Sequence, residues 1–332
     1  MKDMLLKFLN PYGATGHEEP IAQVIRETAR PLVDAVETDA LGNVICIKKG
    51  RAGARRIMVS AHMDHIGFVV TGADEKGFLR VHNVGGIRKR NSLNRHVVFE
   101  NGVHGVLSNE IEDFSADDNK MTNLFIDIGA ANREQALAAV EIGDVAVYAP
   151  DAFELQNGLL ASPAMDDRAG CAVAMRALEM LGDCENEIAF VFSTQEEVGL
   201  RGAKAATYAV DPQIGVALDV TPAGDTPKGD KLCVEVGKGP CIKILDRGSI
   251  SSPKLVRGME AAAERLGIAT QREVLTGGAT DAGAMQTTRG GVYVGTISIA
   301  CRYVHSACET ISVEDCENAA KLLAEFLRDP GF

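Results

Sequence analysis

The sequence contains no tryptophan, and aromatic residues make up only 5% of its 332 positions. Grooves that bind carbohydrates favour aromatic platforms, so this composition disfavours a glycosidase. No run approaches the roughly 20 apolar residues that a membrane-spanning helix needs, and no membrane association is expected. Basic residues are also in deficit, because 34 Lys and Arg stand against 46 Asp and Glu, a net charge of −12. Such a chain repels phosphate backbones, so nucleic acid is not an expected partner.

The eight cysteines stand singly, and no two of them form a CxxC pair. Several lie inside apolar runs, which indicates reduced, buried thiols rather than a disulfide framework or a zinc ribbon. The N-terminal stretch has one short apolar segment, broken by Lys7. It lacks the long apolar core and the small-residue cleavage site of a signal peptide, so we expect a cytoplasmic protein.

Strand-like and helix-like segments alternate over most of the chain. The run IAFVF (188–192) predicts a buried strand, and the segment 166–181 is apolar nearly all round, which predicts a buried helix. Ser312 and Asp315 stand at capping-box spacing, as at the start of a closing helix. Alternating strands and helices imply an α/β fold with a mostly parallel sheet.

One segment, from about residue 67 to 155, interrupts this alternation. Short runs of Val, Ile and Phe are separated there by glycines and polar turns, which is typical of a small β-rich unit. The segment is too long for a structureless loop. We therefore expect a catalytic domain built from residues 1–66 and 156–332, with an inserted barrel-like domain at 67–155. Exposed strand edges on such a barrel would pair with a second copy unless they were covered, so a homo-oligomer is expected.

Side chains that can bind metal follow several of the predicted strands. They are His62 and Asp64 in AHMDH, Asp166 and Asp167 in AMDDRAG, Glu196 and Glu197 in STQEEVG, Asp219 in ALDVTP, and His305 in CRYVHS. In an open α/β sheet, ligands bind beyond the carboxyl ends of the strands. Two imidazoles and several carboxylates can coordinate two borderline divalent ions, with one carboxylate shared between them. One residue of the Glu pair would then hold a cation while the other acts on water.

Each of these residues also has an ordinary structural explanation. A histidine after a strand is more often a hydrogen-bonded structural residue, and an aspartate before a helix is most often an N-cap. A pair of adjacent glutamates is usually a solvated turn. These explanations would have to coincide at five strand ends, and the joint placement therefore favours a functional site.

Together, these five motifs resemble those of the M42 metallo-aminopeptidases, over residues 10 to 328. That family includes glutamyl and tetrahedral aminopeptidases, and some of its members carry the name endoglucanase. The resemblance implies a zinc-exopeptidase-like catalytic domain with an inserted dimerisation domain. It also implies dimers that build a dodecamer, and peptide substrates with a free N-terminus.

The same resemblance implies residue roles. Asp166 matches the carboxylate that bridges two divalent ions, with zinc favoured and cobalt or manganese as alternatives. His62 and Asp219 match the other ligands of one ion, and Glu197 and His305 match those of the second. Glu196 matches the general base that activates a metal-bound water, and Asp64 matches the residue that orients the His62 ring. The bond between Asp166 and Asp167 is expected to be cis.

Two departures from the family pattern are visible. His65 stands where the family usually has an acid, beside the site but outside the ligand set. The segment GGIRKRNSLNR (85–95) differs from many members, and it holds a basic cluster of Arg88, Lys89, Arg90 and Arg95. This cluster has two explanations. It is either part of a loop that faces solvent or another subunit, or it gives the site a preference for substrates with an acidic N-terminal residue.

The sequence therefore predicts a dinuclear-metal aminopeptidase. Three alternatives stay open at this stage. One is a glycoside hydrolase of the endoglucanase type, which needs two carboxylates across a sugar ring and usually no metal. The second is a non-catalytic assembly protein that has kept the fold. The third is a related hydrolytic activity, such as deacylation or carboxypeptidase action, against which the long insert after His62 favours an aminopeptidase.

Overall fold

The computed structural model describes residues 1–110, 123–227, 229 and 234–331. The strands within this part are β1 (Ala35–Thr38), β2 (Val44–Lys48), β3 (Arg56–His62), β4 (Gly67–Ala73), β5 (Leu79–Val84), β6 (Arg95–Phe99), β7 (His104–Asn109), β8 (Leu124–Asp127), β9 (Val145–Tyr148), β10 (Phe153–Glu154), β11 (Leu159–Ser162), β12 (Glu187–Ser193), β13 (Ile214–Pro222), β14 (Cys241–Leu245), β15 (Gln271–Val274), β16 (Tyr293–Cys301) and β17 (Glu309–Ser312). The α-helices are α1 (Lys2–Leu9), α2 (Glu19–Ala29), α3 (Arg133–Ala139), α4 (Met165–Leu181), α5 (Arg201–Val210), α6 (Pro253–Leu266), α7 (Asp281–Gln286) and α8 (Val313–Arg328). None of the helices described is long and apolar enough to cross a membrane.

An eight-stranded sheet forms the centre of the larger part, in the order β1-β2-β12-β3-β13-β16-β14-β15. Its middle strands β12, β3, β13 and β16 are parallel, as the alternating pattern predicts. The apolar faces of α1, α2, α4, α6 and α8 share one hydrophobic core with the sheet, and α5 and α7 contribute to a second core. Helices on both faces of a mostly parallel sheet confirm the α/β prediction.

Helix α4 runs through the first of these cores. Nearly all of its residues are buried, which confirms the prediction from its apolar sequence. Helix α8 begins at Ser312, whose side chain accepts a hydrogen bond from the Asp315 N–H at 3.2 Å, as the capping-box spacing predicts.

The six strands β4 to β9 form a closed antiparallel barrel, in the order β4-β5-β8-β7-β6-β9. Strand β9 pairs with both β4 and β6, and this closes the sheet around a separate hydrophobic core. The prediction of a small barrel is confirmed. The expectation that the barrel would present exposed strand edges is wrong for the six described strands, because closure pairs each strand on both sides.

A third, three-stranded sheet joins β10, β11 and β17 outside the barrel. Strand β10 lies within the range 67–155 but pairs with β11, whereas the barrel strands end at Tyr148. The boundaries of the inserted domain stay a prediction.

The seven cysteines in the described residues are all free, as expected. Five of them are buried and Cys184 is partly buried. Cys308 differs from the expectation, because it is exposed in the turn that precedes β17.

Candidate active site

The register of two parallel strands brings the first site residues together. Ser193, the last residue of β12, lies opposite His62, the last residue of β3. Glu196 and Glu197 follow three and four residues after Ser193, so the register places the Glu pair near His62. Parallel strands that end at one edge of a sheet are the usual place for such a site.

The first of two groups of ligand atoms contains His62, Asp166 and Asp219. His62 Nε2 lies 3.0 Å from Asp166 Oδ1 and 3.9 Å from Asp219 Oδ1. All three side chains are buried, and their ligand atoms lie within 4.8 Å of one another. An imidazole nitrogen and two carboxylate oxygens at this separation can hold one divalent ion.

The second group contains Asp166, Glu197 and His305. His305 Nε2 lies 3.2 Å from Asp166 Oδ2 and 3.3 Å from Glu197 Oε1. Asp166 belongs to both groups and presents a different oxygen to each histidine. One carboxylate therefore stands between two potential metal sites. The family resemblance implied this division of the five candidate ligands, and the structure brings the five side chains together.

Not all five residues reach the site in the way that the sequence predicted. Asp219 lies inside β13 rather than after it. Asp166 follows β11, which belongs to the three-stranded sheet, so its position does not derive from the end of a strand in the central sheet. The peptide bond between Asp166 and Asp167 is cis, which confirms the expectation from the family resemblance.

Several buried carboxylates lie close together at this point. Burial raises the pKa of Asp219 well above its usual value, and the charge of Asp166 adds to that rise. Glu196 behaves in the same way, because burial raises its pKa and the carboxylates of Asp219, Asp281 and Glu197 oppose its ionisation further, while His62 counteracts them. Cations held between these groups would favour the ionised forms.

The chemistry of these residues fits divalent metal ions. Glu197 Oε1 is buried without a hydrogen-bond partner among the described residues, although it faces the His305 ring. A buried carboxylate oxygen in that state is costly unless a cation or a hydrogen bond compensates it. Two imidazoles with three carboxylates form a donor set that suits zinc and other borderline ions.

Asp64 contacts the His62 ring and the main chain of both Glu196 and Glu197. Its main-chain oxygen lies 3.0 Å from His62 Nδ1, and its Oδ1 lies 3.5 Å from the same nitrogen. The Asp64 carboxylate also accepts hydrogen bonds from the Glu196 N–H at 3.0 Å, the Glu197 N–H at 3.3 Å and the Thr15 hydroxyl at 2.8 Å. It therefore holds the turn that carries the Glu pair as well as the ring. No motif or spacing in the sequence indicated this contact with the Glu pair.

His65 is buried and uncharged. Burial, followed by the nearby Arg168 cation, lowers its pKa to about 3. Its Nδ1 lies 3.2 Å from the carbonyl of Ile66. His65 therefore adds no positive charge beside the site and is buried near the candidate ligand His62.

Two glycines of the barrel pack against the second group. Gly85 has a φ of +81°, and a Cβ built there would lie 3.0 Å from Glu197 Oε2. A Cβ at Gly86 would lie 3.2 Å from His305 Nδ1. The segment after β5 therefore lies directly against two candidate ligands, and a side chain at Gly85 or Gly86 would require these neighbours to shift.

Gly86→Ala is expected to lower kcat about twofold to tenfold, because His305 must move by a few tenths of an ångström and catalytic geometry is sensitive on that scale. The measurement is steady-state peptidase kinetics. Gly72→Ala, in barrel strand β4, is the matched control, since a Cβ there meets nothing within 4 Å. Equal activities of the two variants would show that this contact does not constrain His305.

A family model described as M42 glutamyl aminopeptidase matches residues 42–322. The chain belongs to the M42 family. This M42 peptidase is 45% identical over 325 residues to a putative aminopeptidase of Acetivibrio thermocellus, with 98% of each chain covered. It is 34% identical over 341 residues to the lysyl aminopeptidase of Pyrococcus furiosus, with 98% of this chain and 96% of the relative covered.

Solved structures of peptidases share the fold. An aminopeptidase from the archaeon Desulfurococcus kamchatkensis superimposes with a TM-score of 0.94 at 36% identity, covering 98% of this chain and 94% of that one. The TET1 peptidase of Pyrococcus horikoshii, which can assemble into a tetrahedron or a large octahedral shell, gives a TM-score of 0.86 at 35% identity, with 99% of both chains covered. This M42 peptidase is therefore a hydrolase of the aminopeptidase class.

Proposed function

We propose that this chain is a dinuclear-metal aminopeptidase that removes N-terminal residues from peptides. The observation that carries the proposal is the position of Asp166, whose two oxygens face two separate groups of ligand atoms. His62 and Asp219 complete one group, and Glu197 and His305 complete the other. Zinc is the ion that these donors favour, with cobalt or manganese as alternatives.

Two divalent ions, when bound, lower the pKa of water and polarise the carbonyl of the scissile peptide bond. The residues of the chain supply the proton transfers. Glu196 takes the proton from the attacking water and later delivers it to the nitrogen of the leaving amine. Asp64 assists by fixing the Glu196 main chain and the His62 ring. Glu196 suits the role because it lies in the Glu pair but belongs to neither group of ligand atoms.

The glycoside hydrolase alternative is not favoured. Glu197 lies in a group of ligand atoms with His305, so the adjacent glutamates do not form a pair of carboxylates across a sugar ring. The alternative of a non-catalytic assembly protein loses its main support as well, because the chain retains every residue that matches a metal ligand or the general base of the family.

The function is tested with a panel of aminoacyl chromogenic substrates, assayed with added zinc, cobalt or manganese and again after chelation. We expect cleavage that chelation abolishes and a metal ion restores. Full activity in the presence of a strong chelator would contradict the metal mechanism, and hydrolysis of sugar polymers alone would favour the glycosidase.

The panel also tests the basic cluster. Arg88 and Arg95 are exposed, and the Arg95 side chain donates a hydrogen bond to the main-chain oxygen of Asn91 at 3.3 Å. The side chains of Lys89 and Arg90 lie outside the described part of the structure. If the cluster selects acidic N-terminal residues, glutamyl and aspartyl substrates are cleaved faster than leucyl and lysyl ones. The reverse order would exclude that role.

Residues 67–155 are proposed as an inserted dimerisation domain, and the dimers are proposed to build a dodecamer in the cytoplasm. The support is the separate barrel core and the likeness to a TET1 peptidase that can assemble into a tetrahedron. Such a cage would admit peptides and exclude folded proteins.

Light scattering is expected to give about twelve times the 35.3 kDa mass of the chain when metal is present. A stable dimer would contradict the cage, and a monomer would contradict the dimerisation role of the barrel as well. The matched comparison is the same protein after chelation, which shows whether assembly depends on metal.

A further inference from the structure

Glu309 is a buried carboxylate that lies between two of the candidate ligands. It is the first residue of β17, and only 2% of its surface is exposed. Its Oε1 accepts a hydrogen bond from the His305 N–H at 2.6 Å, and its Oε2 accepts one from the Asp166 N–H at 3.0 Å. One carboxylate therefore joins the main chains of two ligands that are 139 residues apart in sequence.

Both amide groups need an external partner. Asp166 has non-helical backbone angles at the start of α4, so its N–H is not part of the regular helical hydrogen bonding. His305 has a φ of +61° in a tight turn, and Tyr303, two residues earlier, has a φ of +62°. Left-handed backbone is uncommon for side chains of this size and persists where surrounding contacts hold it.

The carbonyl of His305 is held as well. Asn91, which lies in the barrel part of the chain, donates a hydrogen bond from Nδ2 to this oxygen at 2.8 Å. Glu309 at the N–H and Asn91 at the carbonyl thus fix His305 from two sides. The Glu309 carboxylate is the contact that also reaches Asp166.

We infer that Glu309 is a positioning residue that sets the separation of Asp166 and His305 and thereby shapes the metal group formed with Glu197. The inference rests on the proposed function, since it concerns the same two ions. Glu309 donates no ligand atom to either group. It acts through the main chain of residues that do, and outer contacts of this kind commonly alter metal affinity by about 10- to 100-fold.

The decisive variant is Glu309→Gln, which keeps the shape of the side chain. A glutamine offers one acceptor oxygen, and its NH₂ group would face the second N–H donor. One amide would lose its partner in a buried position. We expect the affinity of one ion to fall by about 10- to 100-fold, and the affinity of the ion bound by His62 and Asp219 to change less.

Asp315→Asn is the matched control. Asp315 is also a carboxylate with 2% exposure, and it accepts main-chain hydrogen bonds from Gly237 at 2.7 Å and Gly239 at 2.8 Å. Neither glycine neighbours a candidate ligand in sequence. The two variants thus make the same chemical change in the same kind of contact, and only one of them touches the proposed metal groups.

The experiment strips metal from the wild type and both variants and titrates each with Zn²⁺ by calorimetry. Amide hydrogen exchange at His305, measured on the metal-free proteins, gives a second readout. The inference is supported if Glu309→Gln binds one ion more weakly and exchanges the His305 amide faster than the wild type, while Asp315→Asn matches the wild type in both measurements. Unchanged affinities in Glu309→Gln, or equal losses in both variants, would overturn the positioning role.

A failure of the proposed function would give a different result from a failure of the positioning role. If the wild type binds fewer than two ions, the dinuclear assignment falls, while the exchange comparison at His305 still decides whether Glu309 holds the turn. Should Glu309→Gln not fold, Glu309→Asp replaces it, because the shorter carboxylate keeps the charge but reaches one amide only. Wild-type affinity for both ions in that variant would also overturn the inference.

Discussion

Glu196→Gln is expected to lower kcat by about two to four orders of magnitude while both metal ions stay bound. Glutamine keeps the size of the side chain. The substitution also leaves the hydrogen bond from the main-chain N–H of residue 196 to Asp64 unchanged. It cannot accept a proton from water at neutral pH. The loss should therefore appear in kcat, with a small effect on KM, and metal analysis should give the same stoichiometry as the wild type.

Glu185→Gln provides the comparison for this variant. Glu185 lies just before the amino end of β12, at the opposite end of the strand from the Glu pair, and its side chain is 68% exposed. The strand spans about 20 Å, so the same substitution there leaves the site untouched. A near-normal kcat in Glu196→Gln would remove Glu196 from the mechanism and reopen the roles of the two glutamates.

Asp166→Asn should have the largest effect on metal content. The carboxylate faces His62 with one oxygen and His305 with the other. An asparagine amide keeps an oxygen for only one of the two groups, and it removes the shared negative charge from both. We expect the purified variant to lose both ions on gel filtration, and activity to fall below detection. Elemental analysis of the eluted protein measures the outcome.

Asp219→Asn is the internal comparison, because Asp219 belongs to one group only. This variant should lose one ion and retain the ion held by Glu197 and His305. If Asp166→Asn still carries two tightly bound equivalents, Asp166 does not bridge. If the two variants lose the same number of ions, the two groups do not act as separate sites.

The sequence predicted which residues form the site better than it predicted the contacts that hold them in place. His62, Glu196 and Glu197 were found because they follow long apolar strands whose period and length are clear, and parallel strands place such ends together. Asp219 and His305 were identified by the same pattern, and the division of the five residues between two ions came from the family resemblance. These residues carry charge next to apolar runs, and that contrast is visible in a single chain.

The contacts that hold those residues were not visible in the sequence. Asp64 binds the main-chain N–H groups of Glu196 and Glu197, and Glu309 binds that of Asp166. These partners lie far apart along the chain, and no spacing in a sequence encodes such a pairing. Closure of the barrel was missed for a related reason. The pairing of β9 with β4 joins residues far apart along the chain, whereas turn signals report only neighbouring strands.

The hydrogen bond from Asn91 to the His305 carbonyl has a consequence for how this molecule could be re-engineered or could have diverged. The barrel cannot be exchanged freely between relatives, since Asn91, in the segment between β5 and β6, helps to hold the turn that contains His305. A chimera with a barrel from a relative would have to retain two features of this chain. One is the short 3-10 helix Lys89–Ser92, and the other is Tyr148, whose hydroxyl donates to the Asn91 carbonyl at 3.1 Å. Recombination between homologues should therefore tolerate new outer surfaces on the barrel more readily than a new junction at this helix.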